Sequence, residues 1–167
     1  MALIHAHVFS SLAVRRLAVG AEFPLRHPHP WLVWEPVVWK PSPLSALSAE
    51  TLPASFSSRP PERPDGDALC FELAGPGPVK VGRAPDCDLR INDATVSREH
   101  LWLEQDAQGW RIRPGSETAR TLLDGRPLNA EGSRIVPGAE LRLGGVILHF
   151  EDPASLLRRL DAAAPRQ

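Results

Sequence analysis

No apolar run in this sequence approaches the roughly 18 residues that a membrane-spanning helix requires. Cysteine is scarce, with two in 167 residues. Cys70 and Cys87 provide neither a disulfide framework nor the four clustered ligands of a structural zinc, and the expectation is a pair of reduced, partly buried thiols. Net charge is almost absent: 19 basic side chains against 20 acidic ones leave −1. No global basic field therefore advertises nucleic acid or an anionic membrane as a partner. No Gly-x-Gly-x-x-Gly or Walker-type loop occurs, so a nucleotide pocket has no support. No basic residue precedes the apolar opening and two arginines follow it, the reverse of a secretory signal; cytoplasmic residence is the expectation. Four of the six histidines fall in the first 29 residues, but no Cys or carboxylate cluster joins them, so no metal and no cofactor is expected.

Proline, by contrast, is abundant and unevenly placed: ten of 18 lie between Pro24 and Pro64. Each fixes its own φ and holds its predecessor extended, so "PLRHPHPWLVWEPVVWKPSP" reads as extended or turning. Trp31, Trp34 and Trp39 fall within nine residues. Three indoles so close are costly to leave in water, and they are expected to pack on the main domain or on a partner, folding back to lengthen the sandwich or cover an open edge. Residues 1–22, with Leu3, Val8, Leu12, Val14, Leu17 and Val19, suggest an amphipathic helix. Residues 42–67, rich in Ser, Pro and Ala, read as a linker. The division expected is a 1–67 extension, a 68–151 domain and a 152–167 helix and tail.

From Leu69 onward short alternating runs follow one another: "LCFEL", "VKVGR", "DLRIN", "HLWLEQ", "WRIRP", "TLL", "SRIV", "ELRLG" and "VILHFE". Turn formers separate them, among them Gly75-Pro76-Gly77, Pro85-Asp86, Asp124-Gly125 and Gly144-Gly145. Strands at this spacing predict an all-β, two-sheet sandwich. Alternation places Leu89, Ile91, Leu101, Leu103, Ile112, Leu141, Leu143, Ile147 and Phe150 inward. Asp152 before Pro153 is a cap and first-turn pair, and predicts a short C-terminal helix. Residues 69–151 carry 10 Lys/Arg and 12 Asp/Glu, so any basic site there must be local.

"VSREH", residues 96–100, sets a hydroxyl, a guanidinium and an imidazole within four positions. Ser97 and His100 do not make a nucleophile and its base, because there is no strand–turn–helix elbow and no third orienting group. Gly82-Arg83 closes one strand and Ser97-Arg98 precedes another. Loops at one end of a sandwich converge, so the two arginines and the serine could surround one anion; solvated loop arginines are the alternative.

The stretch "VKVGRAPDCDLRINDATVSREHLWLE" closely resembles a forkhead-associated (FHA) domain. Gly82-Arg83, Asp88-Leu89-Arg90-Ile91-Asn92-Asp93 and Val96-Ser97-Arg98-Glu99-His100 stand in that family's order and spacing. The resemblance covers about residues 68–151. It implies an FHA-like sandwich of about eleven strands; the Pro/Trp-rich N-terminal extension and the short C-terminal helix are read from the residues themselves and lie outside it. It implies no enzyme, but an adaptor that binds phosphothreonine segments in Ser/Thr kinase signalling, a mode of arginine-based recognition; the bias towards Ala, Pro and Arg is compatible with a GC-rich bacterial source. By that resemblance Arg83, Ser97, Arg98 and Thr118 contact the phosphopeptide, while Gly82, His100, Asp124 and Gly125 support the site. The family's peptide-gripping Asn falls at Ala119, or at Thr118 with one inserted residue. Its absence motivates the alternative, a scaffold that holds an assembly together without phosphate. The partner expected is a phosphothreonine-containing protein, with no nucleic acid and no membrane.

Overall fold

Trp31–Trp34, "WLVW", is buried along its whole length, and the architecture follows from covering both of its faces. A computed structural model describes residues 3–35, 52–53 and 67–163. Its strands are Leu3–Val8 (β1), Trp31–Trp34 (β2), Leu52–Pro53 (β3), Leu69–Ala74 (β4), Val79–Gly82 (β5), Leu89–Arg90 (β6) and Leu101–Asp106 (β7). Gly109–Pro114 (β8), Thr121–Leu123 (β9), Arg126–Pro127 (β10), Ser133–Arg134 (β11), Glu140–Leu143 (β12) and Val146–Glu151 (β13) complete them. The helices are Phe9–Val19 (α1), Phe23–Arg26 (α2) and Pro153–Ala163 (α3).

Eight strands form one sheet in the order β10-β9-β12-β13-β2-β4-β1-β3, and five form the other, β11-β8-β7-β5-β6. The core between the sheets contains Leu32, Trp34, Phe71 and Phe150 facing Val81, Leu89, Leu101, Leu103 and Ile112. Trp31 and Val33 point the other way, with Cys70, and are covered by Phe9, Leu12 and Ala13 of α1 and Leu156 and Leu160 of α3. A strand apolar on both faces is what an internal layer demands. The result is helices, large sheet, small sheet.

The two-sheet, all-β architecture with its short C-terminal helix is the one read from the sequence. The described residues hold thirteen strands where about eleven were expected. The additional strand material is N-terminal, since β1, β2 and β3 all join the large sheet. Trp31 and Trp34 are 0% and 2% exposed, and β2 is central, pairing Trp34 with Leu148 on one side and with Leu69 on the other. Trp39 and most of the 42–67 stretch lie outside the described residues, although Leu52–Pro53 adds to the sheet edge beside β1.

Two expectations need correction. The 1–22 stretch is not one helix: Leu3–Val8 pairs antiparallel with β4 from Leu3↔Ala74 to Val8↔Leu69, and the helix starts at Phe9. Ile4, Ala6 and Val8 recur with period two, and six residues of backbone pairing outweigh the loose helical spacing. Ile147 is not inward. Val146, Leu148 and Phe150 face the core and Ile147 is half-buried on the opposite face, because a strand's side chains alternate strictly.

Reciprocal caps fix α3: the Ser155 amide donates to Asp152 Oδ1 at 2.7 Å, and the Asp152 amide donates to Ser155 Oγ at 2.9 Å. Arg16 pairs with Asp161 at 3.2 Å across α1 and α3, and Arg159 bridges Glu151 and Glu35. Beneath the helices, His7 lies against the rings of His27 and Trp31, and Glu72 accepts from or pairs with His27 Nδ1 at 3.1 Å. Burial first, then the Arg15 charge, lowers the pKa of His7 to about 4.

Trp34→Ala is expected to cost about 3–5 kcal/mol in chemical denaturation, the loss seen for a large core aromatic, with helix and strand content preserved. The His7 ring binds its proton more weakly folded than unfolded, so its contribution to stability is complete above the unfolded pKa of 6.5. That contribution falls as the pH drops from 6.5 towards about 4 and changes no further below. Denaturation midpoints measured across that window should decline, and His7→Asn should flatten the slope.

Candidate functional site

The β5 and β7 strands pair antiparallel, with Val81 opposite Leu101, and the loops that extend them stay stitched together. The Arg83 amide donates to the Ser97 carbonyl at 3.0 Å and the Ala84 amide to the Arg98 carbonyl at 2.9 Å. Cys87 Sγ also donates to the Arg98 carbonyl, at 3.2 Å, and burial raises that thiol's pKa to about 11. Arg83 Nε donates to the Val96 carbonyl at 3.2 Å. One N–H of the guanidinium is thus tied down on the serine loop, and the side chain is otherwise exposed. Gly82 permits the approach. A Cβ there would stand 2.3 Å from the Arg98 carbonyl oxygen.

His100 holds the serine loop from below. Its Nδ1 accepts the Ser97 amide at 2.9 Å, and its Nε2 faces the Arg120 carbonyl at 3.2 Å. An acceptor at Nδ1 leaves the proton on Nε2, so a neutral ring satisfies both neighbours at once. Burial lowers the His100 pKa, and the Arg120 carbonyl opposes that shift. A doubly protonated ring would turn Nδ1–H against the Ser97 N–H. The imidazole is 2% exposed, and it couples the 96–99 loop to the 116–120 loop.

Arg83 and Ser97 are therefore neighbours, with Gly82 and His100 beneath them. Arg98 is exposed and adjoins them through its carbonyl; its charge reinforces the stronger pull of Lys80 in holding the Asp86 carboxyl below the usual range. Thr118 is exposed in the loop anchored by Arg120, its Oγ1 3.4 Å from Ser116 Oγ. Ala119 follows it, half-buried and without a side-chain donor. Asp124 and Gly125 do not belong to this cluster, and their expected support of the site is corrected. They form the β9–β10 turn, at the far end of β9 from Arg120. Both have positive φ, 49° and 79°, as a two-residue hairpin turn demands, and Asp124 Oδ1 accepts the Glu140 amide at 2.9 Å.

Sequence reasoning passed over three contributors. Arg90 Nε donates to the Arg83 carbonyl at 3.2 Å, the Arg120 carbonyl receives His100, and Gly115 lies where a Cβ would meet the Glu99 carbonyl oxygen at 2.7 Å. Only Arg90 left a signal, as the sole basic residue within "DLRIND".

The family model described as the cytoplasmic domain of the inner membrane component of the type III secretion system (T3SS), Yop-YscD, matches residues 67–154. A search of curated proteins finds no match. Among solved structures, the cytoplasmic domain of the T3SS sorting platform protein PscD from P. aeruginosa is 32% identical over 50% of this chain and 69% of its own, with a TM-score of 0.44. An FHA domain of an Arabidopsis thaliana protein is 20% identical over 74% of this chain and 86% of its own, at 0.48. An FHA domain studied for phosphothreonine-dependent interactions is 19% identical over 73% of this chain and 94% of its own, at 0.47.

His100→Ala removes one acceptor and one donor from buried partners, and is expected to cost about 1–3 kcal/mol in chemical denaturation. Amide resonances of residues 96–99 and 116–120 should shift together. A shift confined to the first loop would disprove the coupling.

Proposed function

This chain belongs to the Yop-YscD family of T3SS inner membrane component cytoplasmic domains, an FHA-type domain, and from that premise we propose that its loop end docks a phosphothreonine-bearing segment of a partner protein in the cytoplasm. The module is one of protein interaction. A single observation carries the finer reading: Arg83 is tied by Nε to the Val96 carbonyl beside a Ser97 loop that His100 holds from beneath. The guanidinium edge meets phosphate oxygens in pairs, and the Ser97 hydroxyl adds a neutral donor. A phosphate near −2 at neutral pH supplies the charge that this arrangement lacks, and the chain as a whole needs no basic field to receive it. Residues 83 and 97 bind the phosphate, residue 98 adds charge, and residue 118 stands where the flanking peptide would pass.

A second reading, docking without phosphate, is favoured by Ala119. The FHA pattern has an asparagine there to hold the peptide backbone, and losing one or two such bonds costs about 1–3 kcal/mol. A scaffold that assembles by permanent contact needs no such grip. Phosphatase treatment separates the two: a partner complex that survives it is held as a scaffold.

Fluorescence anisotropy with a phosphothreonine peptide library and its unphosphorylated twin tests the leading reading. The wild type should prefer the phosphorylated pool, and Arg83→Ala or Ser97→Ala should weaken that binding by about tenfold to a hundredfold. Equal binding of the two pools by the wild type would defeat it.

A further inference from the structure

We propose that a groove on the helix-covered face of the large sheet, where β1, β2 and β4 come level, is the seat of this chain's own Trp39. Strand register sets the geometry. Trp34 and Val8 both stand opposite Leu69, so Glu35, Ala68 and Phe9 form the next row. In that row the Phe9 amide donates to the Ala68 carbonyl at 2.9 Å. A groove of about 430 Å³ opens there, lined by Phe9, Val33 and Ala68 from the sheet side and by Ala162 and Ala163 of α3. Glu35 and Arg159, paired with each other, also line it. Its walls are mostly apolar, and its volume lies within the roughly 300–1,000 Å³ of ligand-sized clefts.

Topology supplies the occupant. From Glu35 the chain has to reach Leu52, which pairs with Ala6 on the far side of β1. In the order β2-β4-β1-β3 that is three strand spacings, about 14 Å. The direct course passes Ala68 and Phe9, along the groove. Residues 36–51 could span about 50 Å if fully extended, so most of their length is surplus to the crossing. Trp39 follows Glu35 by four positions, which keeps it within about 14 Å of a residue that lines the groove. Burying its indole is the gain that would hold the surplus chain against the sheet. Pro36 and Pro41 bracket "VVWK" and narrow the conformations from which seating must select. Other parts of the chain fit less well. Residues 164–167, which continue from Ala163, are Ala-Pro-Arg-Gln and bring no large apolar side chain. Phe56 comes only after β3, which runs from opposite Ala6 to opposite His5, away from the groove.

The full chain labelled with 5-fluorotryptophan gives one fluorine resonance for each of its five tryptophans, and Trp39→Phe identifies that of Trp39 by its loss. A soluble gadolinium chelate should broaden the Trp39 resonance no more than those of the buried Trp31 and Trp34, and less than that of the half-buried Trp102. Ala162→Phe fills the groove from an exposed helix position and should shift the Trp39 resonance and expose it to the chelate. Ala154→Phe, exposed on the same helix but outside the groove, should leave it unchanged. Reciprocally, Trp39→Ala should shift the amide resonances of Ala68, Ala162 and Ala163 together, with α3 unaltered. Unchanged Trp34 and Trp110 resonances attest to the folding of each variant. A Trp39 resonance broadened as strongly as that of free tryptophan overturns the proposal and leaves the groove to a partner protein. A protected Trp39 whose removal leaves Ala68, Ala162 and Ala163 unshifted overturns it too, since the indole then packs elsewhere. Protection that is lost on dilution also overturns it, because the occupant then comes from a second copy.

Discussion

The double burial of Trp31–Trp34 is the constraint on which the rest depends. Leu32 and Trp34 complete the core between the sheets, while Trp31 and Val33 need a second cover. Helices α1 and α3 supply it; Arg16 with Asp161 joins the two helices, and Arg159 with Glu151 ties α3 to β13. The large sheet is covered on one side by helices and on the other by the smaller sheet, which holds β5 and β7, whose loops form the candidate site.

The site is assembled mostly from backbone. The Ser97, Arg98 and Val96 carbonyls receive Arg83, Ala84 and the Arg83 side chain, and His100 ties the second loop to the first. Preorganisation of this kind lets a loop end present charge without bearing the ordering cost at the moment of binding.

How much of this could be read beforehand depended on distance along the chain. Gly82-Arg83 and Val96–His100 were legible because short motifs with fixed spacing encode local geometry, and the alternating runs after Leu69 announced the sandwich. The first strand was hidden because Ile4, Ala6 and Val8 run directly into the helical residues Phe9, Leu12 and Ala13, so one window mixed two periods. The strand character of Trp31–Trp34 was signalled by its bounding prolines, but its place at the centre of a sheet was not, since pairing with residues 148–151 leaves no local trace. Asp124-Gly125 announced a turn, yet nothing in the sequence says that β9 carries that turn away from Arg120. Arg90 looked like the outward residue of a core strand, which it is; that its neighbour would be the Arg83 carbonyl comes only from the parallel pairing of β5 and β6.

The same central strand has a kinetic consequence. Its partner β13 lies more than a hundred residues further along the chain, and β13 in turn leads straight into the helix that covers Trp31 and Val33. During synthesis the middle of the large sheet stays open until residues 146–151 have been made, with indole surface exposed meanwhile. Topology so dominated by distant contacts makes for slow closure, and an incomplete chain is a sticky one.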